Sequence, residues 1–184
     1  ELLPVGEEIQ VQGHLESIEN DGRRVRIATH LEAHTKSATK GQVMDVMAAV
    51  PIAGAKRKSA AKENRREPDF ETVGTWSASK DDGVNFALLT GDFNPIHWVD
   101  GYAKMMGFRG VIMHGFGSMA HTIEALNRNL FLGDVTRLKT FDCRFSRPLH
   151  LPAEVGVYID DENNVFLADA PNGPAYLTGS FETR

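Results

Sequence analysis

From Glu8 to Ile18 the chain reads "EIQVQGHLESI", in which apolar and polar positions alternate. That period of two predicts a half-buried strand. The "ENDG" stretch, Glu19 to Gly22, follows as a turn. "RRVRIATHLEAH" and "QVMDVMAAVPI" predict two more strands, separated by "TKSATKG". Residues 1–52 therefore read as a three-stranded antiparallel meander without a helix. After Phe70, "ETVGTWSAS" predicts a strand and "KDDGVNFALL" a helix. That helix carries Asp81 and Asp82 at its start, Val84, Ala87 and Leu88 on one face, and Gly91 as its stop. "VDGYAKMMGF" predicts a short helix. "HGFGSMAHTIEALNRNL" predicts a long one, with Phe116, Met119, Ala120, Ile123, Leu126 and Leu130 at helical spacing. From Val135 the pattern returns to strands: "VTRLKTFDCRFS", "AEVGVYIDD", "NVFLADA" and "AYLTGSFE", with turn-like separators. Helices first and an antiparallel run afterwards predict an α+β fold. The meander of residues 8–52 looks like the closing strands of residues 135–182.

Residues 53–69, "AGAKRKSAAKENRREPD", have no apolar face and read as a basic linker between the two parts. Their cluster of Lys56, Arg57, Lys58, Lys62, Arg65 and Arg66 either binds a phosphate near the mouth of a site or is a solvated tether.

Composition narrows the classes. The 184 residues are 41% hydrophobic and 24% charged, ordinary for a globular protein with a core. A formal net charge of -5 argues against nucleic-acid binding by overall electrostatics. No apolar run is long enough to span a bilayer, so no membrane role is expected. The single cysteine, Cys143, excludes an intrachain disulfide framework and suits a reducing, cytoplasmic setting. A start at Glu1, with no basic or apolar leader, suggests a processed, trimmed or partial chain.

The candidate chemistry lies in "LTGDFNPIHWVDG", Leu89 to Gly101. Asp92 follows the helix stop, and the Asn94-Pro95 turn can swing His97 back towards it. A carboxylate and an imidazole placed this way can hold one water and move its protons. A turn-capping Asp92 and a buried structural His97 are the plainer alternative. "GVIMHGFG" brings Gly115 to the start of the long helix, where its amide has no internal partner and can polarise a carbonyl.

"TGDFNPIH", with Gly91, Asp92, Asn94, Pro95 and His97, resembles the hydratase-2 signature of MaoC-like (R)-specific enoyl-CoA hydratases and dehydratases, and it continues at His114-Gly115. The resemblance covers roughly residues 70–184. It implies a hotdog fold, a long central helix wrapped by an antiparallel sheet, with residues 1–52 as an incomplete second hotdog. It implies reversible hydration of a trans-2-enoyl thioester, carried by CoA or an acyl carrier protein, to the (R)-3-hydroxyacyl thioester. Asp92 and His97 would be the catalytic pair, and Gly115 the oxyanion donor. Asn94, His114 and Phe116 would shape the substrate side, Phe116 standing where the family usually has Met. No cofactor and no metal is implied. Hotdog sheets leave edges and a helix face uncovered, so a homodimer or a pseudo-dimer is expected.

Rival readings remain. Gly115, Gly117 and Ala120 imitate a dinucleotide fingerprint, but the strand-helix alternation it needs is missing. His97, His114 and His121 would make a loosely spaced metal site. His121 reads as a helix residue facing polar surroundings. A hotdog thioesterase and a non-catalytic acyl-thioester binding module are the functional alternatives.

Overall fold

A computed structural model describes residues 2–52 and 70–184, which fall into two compact units. The basic linker lies outside the described residues.

In the first unit, β1 (Gln10–Asn20), β2 (Arg24–His34) and β3 (Gln42–Pro51) form an antiparallel sheet in the order β1-β2-β3. Side chains close the β1–β2 turn. Asn20 Oδ1 accepts from Gly22 N–H, and Asp21 Oδ1 accepts from Arg23 and Arg24 N–H. Gly22 sits at φ +78°, a region that favours glycine. The meander is as expected, but the half-buried β1 is not: every residue of β1 is exposed. Alternation sorts side chains between two faces, whereas burial needs a second layer against one of them.

The second unit carries β4 (Glu71–Ala78), α1 (Asp82–Thr90), α2 (Asp100–Met105), α3 (Gly115–Ala125), β5 (Leu138–Phe145), β6 (Ala153–Ile159), β7 (Asn164–Ala168) and β8 (Leu177–Thr183). Its five strands are antiparallel neighbours in the order β4-β6-β7-β8-β5. The two strands that bracket the helices, β4 and β5, therefore end at opposite edges. α3 runs on into a π-type turn, Leu126–Leu130. Leu126 there shares one core with Val157, Val165, Leu167, Leu177 and Phe181 of the sheet. Full burial of each such side chain contributes about 1.5–3 kcal/mol.

Two expected helix faces are corrected in part: Ala87 and Leu126 are buried and Val84, Met119, Ile123 and Leu130 half-buried as expected. α1 buries Gly83 and Ala87, while Leu88 is exposed. α3 buries Gly117, Ser118 and Thr122 ahead of Leu126, while Phe116 and Ala120 are exposed. The buried face is made of small residues because the helix runs close to its neighbours. A Cβ on Gly117 would lie 2.3 Å from Met113 Cε. Thr122 Oγ1 donates to the Ser118 carbonyl at 2.8 Å, which lets a polar side chain occupy an interior position. Hydrophobicity alone cannot mark such a face.

Candidate active site

α1 sets the position of the acid. Its last turn closes with Gly91 at φ +80°, whose N–H reaches the Ala87 carbonyl at 2.8 Å. Two side-chain turns follow in series. Asp92 Oδ1 accepts from Asn94 N–H at 3.2 Å, and Asn94 Oδ1 accepts from Ile96 N–H at 3.3 Å. Pro95 opens the 3₁₀ turn Pro95–His97, its fixed φ suiting the first position. The amide of Asn94 is thus used to shape the loop.

That loop delivers His97 into the interior, 8% exposed. Its Nδ1–H donates to the Ile112 carbonyl at 2.8 Å. A carbonyl only accepts, so the neutral ring carries its proton on Nδ1 and its free lone pair on Nε2. Ile112 is anchored in return by its N–H to the Ile96 carbonyl at 3.2 Å, and Met113 by its N–H to the Leu149 carbonyl at 2.8 Å.

His114 caps the start of α3 and is 2% exposed. Its Nε2–H donates to the main-chain carbonyl of Asp92 at 3.0 Å. Its ring stacks on His97, with centroids 3.6 Å apart and planes at 23°. His114 Nδ1 is buried without a hydrogen-bond partner. One polar atom from each of Asp92, His97 and His114 lies within 4.8 Å of the others. The expected convergence of Asp92 and His97 is therefore present, with the His114 ring joining it. The Asp92 side chain is the outer member, 57% exposed.

A pocket of about 310 Å³ opens beside this group, lined by His97, Gly115, Ser118, Phe145, Arg147 and Tyr176 among others. Gly115 is the first residue of α3, so its amide lacks an intrahelical acceptor and sits at the positive end of the helix dipole. A Cβ at this position would lie 2.9 Å from the Phe145 ring. Phe116 is exposed and packs edge-on against Phe145. Asp92, Asn94, His114 and Phe116 are not among the pocket-lining residues. Ser118, Phe145, Arg147 and Tyr176 are, and sequence reasoning missed all four. "RFSRPL" held the only available hint, a basic residue within a turn after a strand.

Of the three histidines considered for a metal, His97 and His114 are together. His121 is exposed on the helix face, with Asp82 and Glu124 nearby as its expected polar surroundings and one ring face stacked on Trp76 at 3.9 Å and 16°. The Ile112 carbonyl occupies His97 Nδ1, and the Asp92 carbonyl occupies His114 Nε2. The Asp92 carboxylate, His97 Nε2 and the unpartnered His114 Nδ1 remain to hold a water or an ion.

Burial holds the His97 pKa below the ordinary 6.5, and the neighbouring His114 adds to the effect. The Ile112 carbonyl and Asp92 oppose it. The folded state therefore resists charging this ring. Its contribution to stability is complete above pH 6.5 and declines as pH falls from there through the folded value. His97→Gln is expected to flatten part of the acid-side decline in Tm between pH 7 and 5. Parallel Tm curves for variant and parent would show that His97 does not drive it.

A family profile described as "MaoC like domain" matches residues 58–170. The chain is 39% identical over 57 residues to the peroxisomal enoyl-CoA hydratase 2 of Arabidopsis thaliana, covering 31% of this chain and 18% of that protein. It is 31% identical over 98 residues to 3-hydroxyacyl-thioester dehydratase X of Mycobacterium tuberculosis, covering 52% of this chain and 33% of that one. The chain thus spans a third or less of the length of these relatives. A MaoC-like dehydratase from Phytophthora capsici superposes with a TM-score of 0.73 at 23% identity, over 96% of this chain and 64% of its own. The R-hydratase PhaJ1 of Pseudomonas aeruginosa gives 0.50 at 26%, over 65% and 81%. The chain has a hotdog fold and belongs to the MaoC-like domain family.

Proposed function

We propose that residues 70–184 hydrate a trans-2-enoyl thioester reversibly to the (R)-3-hydroxyacyl thioester. The observation that carries this is the convergence of the Asp92 carboxylate and His97 beside a pocket lined by Gly115 at the open end of α3. His97 Nε2 and the Asp92 carboxylate both accept from one water. The carboxylate takes a proton as the water oxygen bonds C3. The electron pair of C2=C3 moves towards the thioester carbonyl, whose oxygen the Gly115 amide stabilises. Asp92 then returns the proton to C2, so the elements of water are added and no cofactor or metal is required. Asn94 keeps the acid-bearing loop in shape. His114 fixes the Asp92 main chain and backs the His97 ring, and Phe116 supports Phe145 at the pocket wall.

The names of the relatives, an enoyl-CoA hydratase and a 3-hydroxyacyl-thioester dehydratase, support the same substrate class, and the first names CoA as its carrier. We keep an acyl carrier protein as the alternative carrier. We read the three-stranded sheet as the closing strands of a partial second hotdog, making the protein a pseudo-dimer or a subunit of a homodimer. No helix among the described residues is long and apolar enough to cross a membrane. We keep a cytoplasmic setting, on the single cysteine, as the expected compartment.

Crotonyl-CoA is expected to lose its enoyl absorbance on incubation with the protein and to yield the (R)-3-hydroxy product without release of free thiol. Thiol release at the rate of substrate loss would identify a thioesterase. Saturable binding without turnover would identify a binding module.

A further inference from the structure

The polar face of the three-stranded sheet gathers a second group of titratable side chains, in a unit the hydration reading does not use. Three adjacent strands contribute. His14 of β1 is paired with His30 of β2, and His30 with Asp45 of β3. The triplet His-Leu-Glu occurs on both β1 and β2, as His14 to Glu16 and His30 to Glu32. In a regular strand, residues two apart share a face. A bulge between Leu15 and Ser17 leaves Glu16 unpaired in the ladder. Bulges commonly re-aim a side chain. One polar atom from each of Glu16, His30 and Asp45 lies within 4.8 Å of the others. His30 Nδ1 is 2.6 Å from Asp45 Oδ1, and its Nε2 is 3.1 Å from Glu32 Oε1. The His14 ring lies 5.1 Å from that of His30, centroid to centroid.

We propose that Glu16, His30 and Asp45 form a divalent-cation site of the zinc type, one ligand from each strand, with His14 beside it as a fourth donor. One imidazole with carboxylates is a donor set that suits Zn²⁺ better than the oxygen-seeking Mg²⁺ or Ca²⁺. Ligands bonded at about 2.1 Å around a tetrahedral zinc stand about 3.5 Å from one another. To take up an ion, His30 exchanges its hydrogen bond to one carboxylate for a bond to the metal, and Asp45, 73% exposed, has room to swing from the ring to the ion. The two carboxylates offset the ion's charge. The physical consequence is a staple. Backbone pairing and a few exposed side-chain contacts, among them His34–Gln10 and His30–Asp45, join β1, β2 and β3, and no residue of β1 is buried. A bound ion joins all three through their side chains and stabilises only the folded sheet.

The test is calorimetric titration of the full chain, stripped with a chelator, with Zn²⁺. His30→Ala and Asp45→Asn are each expected to lose a single equivalent of bound zinc, or to weaken it by more than about tenfold. Asp92→Asn, in the other histidine-carboxylate group, is expected to retain that equivalent. Zinc is also expected to raise the Tm of the parent and leave that of Asp45→Asn unmoved. Asp45→Asn keeps the test valid if His30→Ala folds poorly. Absence of zinc binding, or loss of that equivalent in Asp92→Asn with retention in Asp45→Asn, would overturn the proposal. Either result leaves the hydration reading untouched, because that reading needs no metal.

Discussion

Asp92→Asn is expected to lower kcat for crotonyl-CoA hydration by about 100- to 10,000-fold, the usual contribution of a general acid–base group. The substitution is clean. The asparagine oxygen can still accept from Asn94 N–H, so the loop keeps its turn, and the side chain is more than half exposed, so little packing is lost. KM should change little and Tm hardly at all. His97→Ala is expected to cost comparable activity but also stability. From the sequence, a buried structural His97 is the plainer alternative to a catalytic one, and neither residue is expected to dominate the core. In the structure His97 is buried, stacked on His114 and bonded to the Ile112 carbonyl, so its removal leaves a cavity and an unpaired acceptor. The double variant should be scarcely slower than the slower single one, because groups acting on one water do not contribute independently. Rate losses that multiply in the double variant would show that the two act separately. Full activity in Asp92→Asn would reduce the acid to a turn-forming residue.

Gly83→Ala is expected to damage the site without touching it. A Cβ on Gly83 would lie 1.8 Å from the His97 carbonyl oxygen, a main-chain atom that cannot rotate aside. α1 and the 3₁₀ turn would have to separate. Overpacking of this kind costs about 1–3 kcal/mol. A displacement of about 1 Å at a reacting group can cost about 100-fold in rate. Both a lower Tm and a lower kcat are therefore expected. Gly101→Ala is the control, since nothing lies within 4 Å of the Cβ it would add. Equal behaviour of the two variants would mean that α1 does not set the position of His97.

Much of the protein was legible in the sequence, for local physical reasons. Strands announced themselves by alternation and turns by Gly22 and Gly91, whose positive φ few other residues tolerate. The Asp92–His97 pair was legible because its geometry is local: an asparagine-proline turn bridges five residues without help from elsewhere. Gly115 at a helix start was legible for the same reason. What the tertiary structure alone decided depends on segments distant in sequence. The His97 tautomer is set by a carbonyl at Ile112, and the stacking of His97 on His114 spans seventeen positions. The pocket takes Phe145, Arg147 and Tyr176 from the far side of the sheet order, where the basic turn "RFSRPL" was the one hint. The inward faces of α1 and α3 follow from how closely each helix approaches its neighbours, which selects glycine, serine and threonine over the leucine and phenylalanine that periodicity favoured. The meander showed the complementary limit. Its alternation specified two faces, yet whether a layer covers either of them is a property of the assembled fold, and pattern along a strand carries no record of it.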